Sequence, residues 1–238
     1  MGNNCKFIAI EGLDGSGKST QIELLIKHLE RNNERIKFVH FPRASQGVFG
    51  ELISKFLRGE FGKLEQVHPQ LVALLFAEDR KEFASTINEW MNDGYVVLVD
   101  RYVLSNVAFQ CAKLDSESDK AYLRKWILEF EYDYNKIPQP DFTIYLDVPF
   151  DFVQQALAQR LISKDRAYLQ GQDDIHEKST ELQVAVKKEY EALLMMEENN
   201  ISKISCANAE GKMRFPADIH SDIVSVISER IATFNVRP

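Results

Sequence analysis

Cysteine is scarce and scattered: the chain of 238 residues has three, Cys5, Cys111 and Cys206. An odd number without paired spacing argues against a disulfide framework and against a cysteine-based zinc site, and it points to a reducing compartment, read here as the cytoplasm. No apolar run approaches the roughly 20 residues of a membrane-spanning helix; the longest, Leu71 to Ala77, has the length of a buried helix segment. Basic residues are outnumbered, 29 against 36, for a net charge of −7, and no lysine- or arginine-rich block is present. That balance excludes a nucleic-acid binder working by phosphate neutralisation, while a nucleotide-sized anion can still be held by a few local charges. Gly2 follows Met1 as in a myristoylation signal, but Lys6 stands where a hydroxyl residue is wanted, so no lipid anchor is expected. Repeats and low-complexity linkers are also lacking. What remains is ordinary globular composition, 45% hydrophobic and 27% charged, read as one domain over residues 1–238.

The most informative stretch is Gly12-Leu13-Asp14-Gly15-Ser16-Gly17-Lys18-Ser19. A glycine, four free positions, then Gly-Lys and a hydroxyl residue is the phosphate-loop pattern. Its context fits: Phe7 to Glu11 reads as a buried strand, and Ser19 to Arg31 has a helical apolar period. Glycines let the backbone wrap an anion with its N–H groups pointing inward, and the helix start adds its positive end. Lys18 is expected on the β- and γ-phosphates and the Ser19 hydroxyl on Mg²⁺, with Gly12, Asp14, Gly15, Ser16, Gly17 and Thr20 completing an ATP cradle.

Further strands are read at Ile36 to Phe41, Tyr95 to Val99, Phe142 to Leu146 and Ile201 to Ser205. Helices are read at Gln46 to Leu57, Pro69 to Asn92, Ser105 to Ala112, Ser118 to Asn135, Phe150 to Ile162, Ile175 to Glu198 and Ala217 to Phe234. Ser163 to Asp174 is polar without an apolar period and reads as a loop. Alternation of strands and helices gives an α/β fold with a parallel sheet, whose ligands bind beyond the carboxyl ends of the strands. The turns at Gly12, Phe41 and Asp100 then share one rim.

Four segments on or near that rim carry a resemblance: Phe41-Pro42-Arg43, Leu74-Leu75-Phe76-Ala77-Glu78-Asp79-Arg80, Asp100-Arg101-Tyr102 continuing to Ser105 and Gln110, and Pro140 to Pro149. With the phosphate loop, and in this order from about Phe7 to Leu194, they resemble the thymidylate kinase family. The resemblance implies a P-loop kinase fold, a three-layer α/β/α sandwich around a five-stranded parallel sheet, and ATP- and Mg²⁺-dependent conversion of dTMP to dTDP. It implies a homodimer with no nucleic-acid or membrane partner.

The same resemblance assigns roles. Arg43 and Arg101 hold the acceptor phosphate beside Phe41 and Pro42. Phe76 stacks on thymine and Arg80 donates to its O4. Ser105 and Gln110 lie near base and sugar, and Tyr102 crowds the ribose 2′ position. Asp14 approaches the acceptor sugar, and Asp100, with Ser19, positions Mg²⁺. Residues 163–174 match a mobile lid. One branch of the family carries an arginine in the phosphate loop; Gly15 stands there, so the chain resembles the branch whose lid supplies it. Arg166 is the first candidate, with Arg160 and Lys164 behind it. His176 reads as a surface histidine, and adenine contacts are expected near Ser205 to Ala209. Residues 114–135 are longer and more aromatic than the family pattern. Among rivals, a kinase of another nucleoside monophosphate fits less well, and a deoxynucleoside kinase has less use for paired rim arginines. A GTP switch needs an Asn-Lys-x-Asp segment, which the chain lacks, and a non-catalytic nucleotide-binding protein does not need Lys18, Ser19, Arg43, Asp100 and Arg101 together.

Overall fold

A computed structural model describes residues 7–163, 167–196 and 200–236. Five strands, β1 (Phe7–Glu11), β2 (Ile36–His40), β3 (Val96–Asp100), β4 (Phe142–Asp147) and β5 (Ile201–Ser205), form one sheet in the order β2-β3-β1-β4-β5. All four pairings are parallel. β1 and β3 are buried at every position, as expected of central strands covered on both faces, while edge strand β2 is half-exposed. The expected five-stranded parallel sheet is present.

Helices α1 (Lys18–Arg31), α2 (Gly47–Leu57), α3 (Pro69–Asn92), α4 (Val103–Cys111) and α5 (Glu117–Leu128) fill the first half of the chain. Next come α6 (Phe150–Ser163), α7 (Ile175–Lys178), α8 (Thr180–Leu194) and α9 (Pro216–Val236). The main core joins the sheet to the inner faces of α1, α3, α4, α5, α6, α8 and α9. A second cluster, Ile53, Phe56, Leu57, Val72 and Leu169, ties α2 to the start of α3 and to a 3₁₀ turn at Ala167–Leu169.

Three details depart from the sequence reading. The helix expected from Ile175 is broken at Ser179, whose extended backbone and side chain, accepting from Leu182 N at 3.1 Å, start α8 afresh. The segment read as a polar loop anchors itself through buried Leu169, and Arg58 Nη1 donates to Tyr168 O at 2.6 Å. The helix read to Asn135 loosens into a π-helical stretch, Glu129–Tyr134, which turns Glu131 inward while Trp126, Phe130 and Tyr134 stack outside at 5.0 and 5.4 Å.

Glu131 is wholly buried and accepts from Arg80 Nε at 2.5 Å, Arg80 Nη2 at 2.6 Å and Asn106 Nδ2 at 2.9 Å. A buried ion pair broken on one side leaves an uncompensated charge, which costs about 3–5 kcal/mol. Glu131→Ala is therefore expected to lower unfolding stability by about that amount in urea titrations; a loss below about 1 kcal/mol contradicts this role.

Candidate active site

The phosphate loop follows β1. Gly15 has φ +73°, and a Cβ there would lie 2.9 Å from Ala156 Cβ; Gly17 caps α1 at φ +82°. Both positions need glycine, one for space as well as backbone and the other for backbone alone. Lys18 folds over the loop, its Nζ donating to Leu13 O at 2.8 Å and Gly12 O at 3.2 Å. Burial, seconded by the nearby Arg101 charge, pushes Lys18 down to about 8 despite Asp100 and Asp14. Ser16 is buried in the loop, while Ser19 and Thr20 stand exposed on the first turn of α1.

Arg101 follows β3 with φ +67°, a conformation that turns its side chain back toward the loop. Nη2 donates to Asp14 Oδ1 at 2.8 Å, Nη1 to Ser105 Oγ at 2.9 Å, and the guanidinium lies 4.9 Å from the Phe109 ring centroid. Burial opposes the arginine charge, but Asp14 outweighs it and Arg101 stays protonated above its ordinary range. The same pairing holds Asp14 below the usual carboxylate range although burial pushes upward; Gln183 Nε2 adds a hydrogen bond of 3.1 Å to its other oxygen.

Glu11, which the sequence reading passed over as a strand end, organises this corner. It accepts from Tyr102 N (2.8 Å), Ser105 N (3.2 Å), Ser105 Oγ (2.5 Å) and Tyr190 Oη (2.8 Å), so it fixes the start of α4 and ties it to α8. A carboxylate closing an apolar strand just before a phosphate loop was the available signal. Asp100 bonds His40 Nδ1 at 3.0 Å through Oδ2, while its buried Oδ1 has no partner among the described residues. Burial favours the protonated acid at Asp100, yet Lys18 and His40 keep it ionised below its ordinary value.

Beside the loop opens a cavity of about 790 Å³. Of the sequence-predicted residues, Asp14, Phe41, Pro42, Arg43, Phe76, Arg80, Arg101, Ser105, Gln110 and Arg160 line it. Its cations are held by carboxylates. Arg43 donates through Nε to Asp79 Oδ1 at 3.0 Å and through Nη2 to Glu82 at 3.1 Å, and its backbone N–H bonds Asp79 at 2.8 Å. Arg80 is held by Glu131, and Arg160 is ion-paired to Glu177 at 3.3 Å.

Tyr102 does not line the cavity. Its ring packs on Phe7 and Phe41 at 5.1 and 5.8 Å, its hydroxyl donates to Pro138 O at 2.9 Å and its N–H to Glu11, so it is held in the core by contacts from distant elements. The aromatic that faces the cavity from α4 is Phe109. His176 is no surface residue: it is 5% exposed, stacked on Phe109 at 5.4 Å and edge-on to Phe56 at 5.4 Å. Burial, then Lys113, holds its imidazole neutral. Asn106 also lines the cavity, with a buried Oδ1 that has no partner among the described residues. These positions come together only in three dimensions, and no local spacing marks them. Lys164 and Arg166 lie outside the described residues. Among the described residues no cluster of three or more His, Cys, Asp or Glu side chains could hold a metal by itself, and no helix is long and apolar enough to cross a membrane.

The model of the thymidylate kinase family matches residues 10–213. A probable thymidylate kinase of Thermococcus gammatolerans is 31% identical over 232 residues, covering 94% of this chain and 97% of its own. The thymidylate kinase of Plasmodium falciparum is 35% identical over 149 residues, covering 63% of this chain and 64% of its own length. A solved thymidylate kinase of Candida albicans, whose structure is described as revealing the origin of broad substrate specificity, superposes with a TM-score of 0.66. It shares 26% identity, over 96% of this chain and 94% of its own.

The depressed Lys18 value has two consequences. Between about pH 8 and 10.5 the unfolded chain holds this proton more tightly than the folded one, so Lys18 makes stability rise with pH in that window. A polyphosphate needs the ammonium. Calorimetric affinity for inorganic triphosphate is expected to fall above pH 8 by up to about tenfold per pH unit, and to lose that slope in Lys18→Met. An unchanged slope in the variant contradicts the assignment.

Proposed function

The chain belongs to the thymidylate kinase family, and on that premise we infer that it transfers the γ-phosphoryl group of ATP to the phosphate of dTMP, giving ADP and dTDP. The observation that carries this reading is the ion pair of 2.8 Å between Asp14 of the phosphate loop and Arg101 at the mouth of the cavity. It joins a polyphosphate cradle to a pocket with the dimensions and side chains for a nucleoside monophosphate.

In this proposal Gly12 to Thr20 wrap the ATP phosphates and Lys18 leaves the loop carbonyls for the β- and γ-oxygens. Arg43 and Arg101 take the acceptor phosphate, for which a bidentate guanidinium is better suited than an ammonium. Phe76 offers its face to the base, Arg80 a donor to O4 and Asn106 Oδ1 an acceptor for N3–H. Asp14, with Ser105, faces the sugar side. Direct in-line transfer asks the protein for position and charge, not a nucleophile. Arg160, and Arg166 on a lid at 163–174, are the cations proposed for the transferring group. The base of ATP is proposed to lie near Ser205 to Ala209, where the Ala207–Met213 bridge brings Met213 beside Gly17.

Asp100 and Ser19 fit Mg²⁺: a buried carboxylate oxygen without a partner and an exposed hydroxyl supply two oxygens, and this ion takes its remaining ligands from water and phosphate. When bound, it neutralises charge on the β- and γ-phosphates. A homodimer is part of the proposal, supported by exposed Val48, Phe61 and Leu71 on and beside α2 and α3. A cytoplasmic setting is supported by two free, buried thiols, Cys111 and Cys206, both pushed up to about 12 by burial.

A panel of nucleoside monophosphates with ATP and Mg²⁺, read as diphosphate formed, tests the function. dTMP is expected first, dUMP second through its shared O4, and dCMP, dGMP and AMP far behind, with turnover lost when Mg²⁺ is chelated. Equal turnover of AMP or CMP contradicts the thymidylate assignment.

A further inference from the structure

His40 and Asp100 end neighbouring strands. The register of β2 on β3 sets them side by side, and Phe41 N donates to Asp100 O at 3.0 Å, so both side chains leave the same face of the sheet at the rim. His40 Nδ1 lies 3.0 Å from Asp100 Oδ2. A carboxylate only accepts, so Nδ1 carries the proton and donates it. This is the one side-chain hydrogen bond that His40 makes among the described residues, and its side chain is half-exposed.

Asp100 needs such a hold. A carboxyl group turns easily about its last torsion. Burial works against its charge, and Lys18 does most to keep it. Yet Lys18 spends its donors on the loop, toward Leu13 O, Gly12 O and Ser16 Oγ at 2.8, 3.2 and 3.5 Å, and no hydrogen bond runs from it to Asp100. Among the described residues His40 is therefore the only side chain that fixes the Asp100 carboxylate by a hydrogen bond. With Oδ2 taken, Oδ1 is left buried without a partner among those residues. A buried anionic oxygen in that state is costly unless a cation or a donor meets it.

We propose that His40 is the positioning residue of the Mg²⁺ site: it holds Oδ2 of Asp100 and so presents Oδ1 to the ion. The proposal rests on the reading of Asp100 as an Mg²⁺ residue. A group that hydrogen-bonds a metal-holding carboxylate sets its orientation, and losing such a group costs about 10- to 100-fold in metal affinity. The placement also joins two tasks. His40 lines the cavity, and Phe41, Pro42 and Arg43 follow it on the chain, so one segment carries both an acceptor-phosphate arginine and the hold on the metal residue.

The test measures metal binding without turnover. Mn²⁺ takes the same kind of oxygen ligands as Mg²⁺. It is titrated into protein in excess over ADP, and the free ion is read by electron paramagnetic resonance. His40→Phe keeps a strand-forming aromatic but removes the donor. Its Mn²⁺ affinity is expected to fall about tenfold, while calorimetric affinity for ADP without metal holds. His40→Asn places an amide N–H where Nδ1–H stood and is expected to stay within a few-fold of the wild type. Asp100→Asn loses Mn²⁺ affinity outright, and adding His40→Phe to it changes nothing further. In steady-state assays of His40→Phe the Mg²⁺ concentration for half-maximal rate rises in step, with KM for dTMP unchanged. Wild-type Mn²⁺ affinity in His40→Phe, an equal loss in His40→Asn, or a matching loss of metal-free ADP affinity overturns the proposal. Wild-type Mn²⁺ affinity in Asp100→Asn overturns the metal reading of Asp100 beneath it, and a wild-type protein inactive on dTMP overturns the function itself; both are distinct results.

Discussion

Charge held in place against burial is the constraint on which this structure depends. Arg101 and Asp14 are both largely withdrawn from water, and each is ionised because the other is 2.8 Å away. The pattern repeats around the cavity, with Arg43 on Asp79 and Arg80 on Glu131. A buried guanidinium without a counter-ion is not tolerated, and a free one on a long stem does not stay in place. Pairing each with a carboxylate from another element solves both problems. It leaves cations that are fixed before a ligand arrives, which is the preorganisation that transfer between two anions requires.

Glu11 is the counterpart at the level of the fold. It ends the central strand, yet it spends its oxygens on the N-terminus of α4 and on Tyr190 of α8. Ser105, held by Glu11, in turn receives Arg101. Sheet, α4, α8 and the arginine of the site are therefore tied together by one chain of hydrogen bonds. On the far side of the cavity the cluster around Leu169 and the Arg58 bond to Tyr168 O fasten the segment after α6 onto α2. Both the phosphate loop and the wall that covers the cavity are thus referred to the same scaffold.

The sequence was most readable where backbone geometry dictates residue type. A phosphate loop needs glycines at fixed offsets, and buried parallel strands need unbroken apolar runs, so β1, the loop, β3 and β4 could be located from local pattern alone. Legibility failed where a side chain's surroundings come from distant elements. The family resemblance put Tyr102 at the ribose, but its ring packs on Phe7 and Phe41 and its hydroxyl bonds Pro138 O, contacts supplied by distant elements. His176, off the family pattern, read as a surface histidine by default; Phe56 and Phe109, supplied by α2 and α4, bury it. Asn106 and Glu131 are ordinary polar residues on helices until the π-helical turn brings one to the other. Arg166, a favoured lid cation, lies outside the described residues.

The central claim is that this cavity recognises its ligand by the phosphate held between Arg43 and Arg101 and not by the base alone. Calorimetric binding of dTMP and of thymidine to the wild-type protein tests it most directly. Charge-assisted bonds to buried Arg101 and partly buried Arg43 predict that thymidine binds at least about 100-fold more weakly than dTMP. Affinities within a few-fold of each other would contradict the account and make the cavity a nucleoside site.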